Sequence, residues 1–156
     1  MTEKETIFLK LRQDHDIQRE LLDHLLKTSG DSEDRKVLFE QLKKELSIHA
    51  KYEERHFYKS LIDFDLTQDK ARHSVAEHKD IDDLIEDLED KDMSSSGWLV
   101  KAKELEHKVT HHLDEEEQEV FQLAGKVLSE SQKISLAKDY EKDMDQDEEL
   151  ILVRPY

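Results

Sequence analysis

The second half of this chain repeats the first at an offset of 63 residues, and the repeat is built around histidines. Leu21, Leu25, Leu42 and Leu46 recur as Leu84, Leu88, Leu105 and Val109. Asp14-His15 recurs as Glu77-His78, and His49-Ala50-Lys51-Tyr52-Glu53-Glu54 recurs as His112-Leu113-Asp114-Glu115-Glu116-Glu117. Tyr58 recurs as Phe121, so the position pairs 15/78, 49/112, 53/116 and 58/121 all differ by 63. Self-similarity of this length, carried on apolar residues at a helical period, describes two copies of one helix pair.

The 3.6-residue period gives four strong helices separated by three short breaks. The first covers roughly residues 3 to 28, with Phe8, Leu11, Leu22, Leu25 and Leu26 among its apolar positions. Gly30 to Asp34 ends it and supplies an Asp or Ser cap for a second helix over about 35 to 62. Asp63 to Gln68 reads as the next break, with Thr67 as the expected cap of a third helix reaching Lys91. Asp92 to Gly97 precedes a fourth, from Trp98 to Leu128. Amphipathic helices joined by short loops pack most simply as an all-α, up-down-up-down four-helix bundle. Ser129 to Gln132 resembles a capping box for a weak fifth helix reaching about Asp147, in which Ile134, Tyr140 and Met144 are sparse apolar positions. The expected organisation is a bundle over 1–128 and an acidic C-terminal tail over 129–156, its Leu150-Ile151-Leu152-Val153 run read as a frayed end.

Composition excludes most alternatives. Three glycines and one proline are too few for the corners of a many-stranded fold. With 24 Lys or Arg against 40 Asp or Glu, the formal charge of −16 argues against nucleic acid or an anionic membrane as partner. No apolar run approaches the roughly 20 residues of a membrane span. The first residues are charged and lack the apolar core of a secretion signal, so a cytoplasmic protein is expected. The absence of cysteine excludes disulfides, thiolate metal ligands and thiol catalysis. Nine histidines stand out instead.

Their spacing has a geometric meaning. In an antiparallel helix pair, two residues lie at one height when the turn falls midway between them. His15 and His49 average to position 32, His49 and His78 to 63.5, and His78 and His112 to 95, each inside a break. All four therefore sit at one level of the bundle, roughly 25 Å from each turn at 1.5 Å per residue. His49 and Glu53, like His112 and Glu116, are four apart and share a helical face. Those faces continue as apolar stripes, so they point inward. Two glutamates buried together without a cation would repel and bear a heavy desolvation cost. A metal centre removes the difficulty, and four imidazoles with two carboxylates suit two ions bridged by the carboxylates. The expected ligands are His15, His49, Glu53, His78, His112 and Glu116. His111 and Glu115 form another four-residue ladder, but the repeat maps them to Ile48 and Tyr52 and so selects their neighbours. His24, His56 and His107 read as surface or boundary residues, and Trp98 as a packing residue at the bundle end.

These residues resemble the hemerythrin family, in particular its broad class of HHE cation-binding domains. The resemblance covers positions 5 to 128 and rests on Asp14-His15, His49 to Glu53 with Phe57-Tyr58, Glu77-His78, and His112 to Glu116 with Phe121. It implies a non-haem di-iron site with an oxo or hydroxo bridge, two bridging carboxylates and capping imidazoles. Two departures bear on function. Respiratory hemerythrins carry a fifth histidine four residues before the later histidine of the third helix, where this chain has Ser74. Their fourth helix supplies an Asp at spacing five, where this chain has Glu at spacing four. Reversible oxygen carriage in the respiratory manner therefore does not follow. His73, Glu77 or Asp82 could complete the shell.

Three functional classes follow. The first is a di-iron protein that binds or senses oxygen, another small diatomic molecule or peroxide. The second is a di-iron enzyme acting on peroxide, dioxygen or nitrogen oxides, for which no general acid or base can be singled out. The third is an iron buffer. Zinc is the alternative metal, since His and carboxylate ligands admit it.

Overall fold

A computed structural model describes residues 5–154. Four helical rods run up and down. The first is α1 (Ile7–Leu26); the second is α2 (Glu33–Glu53), continued by a π turn (Glu54–Tyr58) into α3 (Lys59–Leu61). The third is α4 (Gln68–Asp90), and the fourth is α5 (Ser96–Glu115), continued by a second π turn (Glu116–Val120) into α6 (Phe121–Val127). Two further helices follow, α7 (Glu130–Gln146) and α8 (Glu148–Val153). The described residues contain no strand. The helix expected from residue 3 starts at Ile7 behind a Thr6 cap, and positions 3 and 4 lie outside the described residues.

Local chemistry sets the ends. Gly30 takes φ 56° in the first turn, a left-handed conformation natural to glycine, and the Ser32 side chain accepts from Arg35 N to start α2. Ser95 caps α5 in the same way, and Ser129 with Gln132 forms the expected capping box of α7. Thr67 differs from expectation. Its hydroxyl donates to Leu61 O at 2.7 Å, so it satisfies the end of α3 and leaves α4 without a side-chain cap.

The frayed end expected at the C-terminus is corrected. Ala137, Tyr140, Met144 and Leu150 are all buried, and α7 packs on α1 and α2. α8 lies along α2, and only Leu152 and Ile151 of its apolar run face water. Seven residues separate Ala137 from Met144, two helical turns, and Tyr140 lies on the same face, which suffices to dock a helix against a groove that is already formed.

Two apolar clusters divide the interior. One joins Ile7, Leu11, Phe57, Leu61, Phe121 and Leu128 with Tyr140 and Leu150 from the tail. The other joins Leu22, Leu25, Phe39, Leu88, Trp98 and Leu105, and in it Trp98 Nε1 donates to Leu88 O at 3.1 Å. Between them lies a buried polar layer at the level of the four histidines.

Candidate metal centre

Each rod delivers its ligand candidates to that layer. His15 comes from α1, His49 and Glu53 from α2, His78 from α4, and His112 from α5 with Glu116 at the start of the π turn. All six are buried, and Glu53, Glu116 and His15 are fully so. Both π turns begin at or directly after the buried glutamate. The extra residue each holds per turn lets Phe57 and Tyr58, and likewise Val120 and Phe121, face inward side by side.

The donor atoms converge. Glu116 Oε1 lies 2.9 Å from His15 Nε2, and Glu116 Oε2 lies 3.6 Å from His112 Nε2. Glu53 Oε2 lies 3.5 Å from His49 Nε2, and Glu53 Oε1 lies 3.1 Å from His78 Nε2. His78 Nε2 and His112 Nε2 are 3.1 Å apart. The atoms fall into two groups, His15 with His49 and His78 with His112, and both groups share Glu53 and Glu116.

The outer nitrogens show which way the rings are protonated. His15 Nδ1 is 2.6 Å from Glu117 Oε2, His78 Nδ1 is 2.7 Å from Glu54 Oε2, and His112 Nδ1 is 3.0 Å from Glu77 Oε1. His49 Nδ1 is 2.7 Å from the Tyr140 hydroxyl and 3.3 Å from Asp14 Oδ2, and Tyr140 itself donates to Asp14. A carboxylate only accepts, so each Nδ1 carries a proton, and a ring holding no second proton turns an Nε2 lone pair inward. Acid–histidine pairs of this kind fix ring orientation behind a metal. Facing lone pairs cannot bond one another. His15 Nε2, His49 Nε2, both oxygens of Glu53 and Glu116 Oε1 are buried with no hydrogen-bond geometry to any partner, although several lie within 3.5 Å. Such a donor set fits cations at its focus.

Electrostatics point the same way. Burial and the charge on Glu53 push the Glu116 carboxyl well above the ordinary range. Burial acts likewise on Glu53, but the charge on His49 and the closeness of the His49 and His78 imidazoles outweigh it and hold Glu53 well below that range. Burial disfavours charge on His49 and His78, yet Glu53 with Asp14 or Glu54 overcomes it and raises them to about 10 and about 9. In His15 and His112 burial prevails over the pull of Glu117 and Glu77, and both rings are lowered.

The residues held in reserve from sequence lie elsewhere. Glu77 turns its Oε1 to the outer nitrogen of His112, and His73 is half-exposed beside it. Neither joins the two donor groups; Asp82 lines a small cavity beside His78. The outer acids Glu54 and Glu117 went unassigned in the sequence, though their signal was there, since they are repeat partners one position beyond Glu53 and Glu116. Tyr140 and the Tyr58 hydroxyl, which donates to Glu116, have no such signal, because position 58 repeats as Phe121. The cavity holds about 10 Å³, on the scale of one water, between the imidazoles of His49, His78 and His112 and the side chains of Leu46, Ile81 and Val109. Gln18 lines it too, buried, with its Nε2 lacking a partner.

Residues 6–124 match the model of the hemerythrin HHE cation binding domain. Among solved structures, a hemerythrin HHE cation binding domain-containing protein from Mycobacterium kansasii superposes with a TM-score of 0.82 at 22% identity, covering 90% of this chain and 86% of that one. Curated proteins gave no match.

Proposed function

The chain belongs to the hemerythrin HHE cation-binding domain family, and on that premise we propose that it is a non-haem di-iron protein whose buried centre binds or senses oxygen or a related small ligand. One observation carries the reading. Two donor groups of two imidazoles each share both Glu53 and Glu116, which is the arrangement two bridged ions require. His15 and His49 would hold one iron, His78 and His112 the other, with both carboxylates spanning the pair.

Iron held there supplies redox chemistry and coordination positions open to a small ligand. The chain's own residues do the rest. Glu117, Glu54, Glu77 and the Asp14–Tyr140 pair keep each Nε2 lone pair directed inward. Leu46, Ile81 and Val109 narrow the cavity to a ligand of a few atoms and keep bulk water out. Gln18 offers an amide N–H to whatever lodges beside the imidazoles. No helix among the described residues is long and apolar enough to cross a membrane.

Anaerobic titration with ferrous iron, followed by admission of oxygen and optical spectroscopy, tests the proposal. Iron should load to two equivalents per chain, and oxygen should then oxidise it, with azide perturbing the spectrum of the oxidised form. Loading of zinc alone, or iron inert to oxygen, would contradict the proposal; steady turnover of added peroxide would make the protein an enzyme.

A further inference from the structure

On the flank formed by α4 and α5, a second set of metal-ligating side chains lies outside the buried centre. α4 presents His73 and Glu77, four residues apart, and α5 presents His111 and Glu115, also four apart, so each pair shares a helical face. The two faces meet across the groove. His73 Nε2 lies 3.3 Å from Glu115 Oε1 and 3.5 Å from Glu77 Oε1, and His111 Nε2 lies 3.3 Å from Glu115 Oε2. Donor atoms of His73, Glu77 and Glu115 all fall within 4.8 Å of one another. Ligands about 2.1 Å from a shared ion stand roughly 3–3.5 Å apart, so these separations suit one cation with little movement. The histidine side chains are exposed, 53% for His73 and 62% for His111, while Glu77 and Glu115 are 5% and 17% exposed. Solvent therefore reaches the imidazoles and the carboxylates form the floor. Lys108 Nζ stands 3.5 Å from the other oxygen of Glu77, leaving Oε1 to face the cluster.

The opposite flank shows that this is no general feature of the bundle. Moving back 63 positions, His73, Glu77, His111 and Glu115 become Lys10, Asp14, Ile48 and Tyr52. There α7 covers the surface: Tyr140 donates to Asp14, Lys10 pairs with Glu141 at 3.0 Å, and the Tyr52 hydroxyl donates to Asp147 at 2.6 Å. One flank is closed by the tail, and the other is open and carries ligands. Glu77 links that open flank to the interior, because the oxygen that faces His73 also accepts from His112 Nδ1 at 3.0 Å.

We propose that His73, Glu77 and Glu115, with His111 behind them, form a peripheral site for a divalent first-row transition-metal ion, from which metal is passed to the buried centre. Imidazole and carboxylate together suit ferrous iron, zinc or cobalt rather than calcium or magnesium. The passing role rests on the reading of the buried centre given above; the site itself does not. The ion captured at the surface would stand one side chain from His112, and Glu77 is the group that links the peripheral site to that buried imidazole.

The test uses the full chain with its buried metal already in place, whichever metal analysis finds there after a chelator wash. Zinc titrated into this protein should bind as one additional equivalent. His73→Ala and Glu115→Gln should each weaken that equivalent by about tenfold or more, as loss of a ligand or its supporting partner does, with the chelator-resistant metal unchanged. Stopped-flow loading of the metal-free protein with ferrous iron should be slower in both variants and reach the same final content. No additional equivalent, or equal affinity in wild type and variants, would overturn the site. Unchanged loading rates would overturn the passing role alone. A buried centre that retains no iron would instead count against the di-iron reading, and the washed protein's metal content shows this separately.

Discussion

Glu53 and Glu116 lie within the bundle's polar layer, each fully buried and each flanked by two imidazoles. Replacing Glu116 with Gln keeps its shape and mimics the protonated carboxyl that burial and the charge on Glu53 already favour. The chelated variant should therefore unfold within about 1 kcal/mol of chelated wild type, whereas iron-loaded wild type should gain stability that the variant does not. Urea melts of all four samples measure this. Glu116→Ala should lose iron, while Glu115→Ala and His111→Ala retain the chelator-resistant iron, because only position 116 repeats position 53. Gln18→Leu should weaken azide binding to the oxidised protein by roughly three- to tenfold, the worth of about one hydrogen bond near 1 kcal/mol, with iron content unchanged. An optical azide titration reads it, and unaltered affinity would show that the amide does not meet the ligand. At this scale the convergence of the six buried side chains was legible, since spacing, helical face and burial cost all select the same residues. The outer acids are visible as repeat partners, but their role is not, because which ring nitrogen a carboxylate meets depends on how neighbouring helices pack.

α7 matters beyond its sparse apolar stripe. Its Tyr140 hydroxyl touches both His49 Nδ1 and Asp14, so it steadies one imidazole of the centre from outside the four rods. Tyr140→Phe preserves the ring and strands those buried groups, which should cost about 1–3 kcal/mol in a urea melt and weaken metal retention. The tail also has a pH dependence. The bond from His56 and the proximity of Arg55 lower the Asp143 carboxyl, and at Asp147 the bond from Tyr52 prevails over burial to the same effect. Carboxyls lowered by folding add stability that is complete above the unfolded value near 3.9 and is lost as pH falls through their folded values. Hydrogen exchange should therefore show α7 and α8 loosening below about pH 4 and tight near neutrality; equal protection at both pH values would contradict this tether. The sequence announced the helix through Ser129 and Gln132 but not its docking, because the groove it fills is made by α1 and α2 together. The π turns were likewise illegible, since a one-residue widening leaves the 3.6-residue stripe intact on either side.

The whole molecule is an acidic shell around a cation-seeking interior. A formal charge of −16 concentrates cations near the surface and speeds their capture, and salt screens that attraction within about 8–10 Å. Ferrous iron loading should therefore slow as ionic strength rises, which stopped-flow mixing at two salt concentrations would show. The bundle topology was legible in advance because each break falls midway between two histidines, and a chain with three glycines and one proline has few other ways to turn. What the sequence left open was which flank of the bundle the tail covers, a matter of contacts more than 80 residues apart, such as Tyr140 with His49. Everything proposed for the interior depends on two irons sharing Glu53 and Glu116. X-ray absorption on protein reconstituted anaerobically and washed with chelator tests it most directly. Close to two irons per chain and an iron–iron scattering path at about 3–4 Å are expected; one iron per chain with no metal neighbour at that distance would contradict the shared-carboxylate centre.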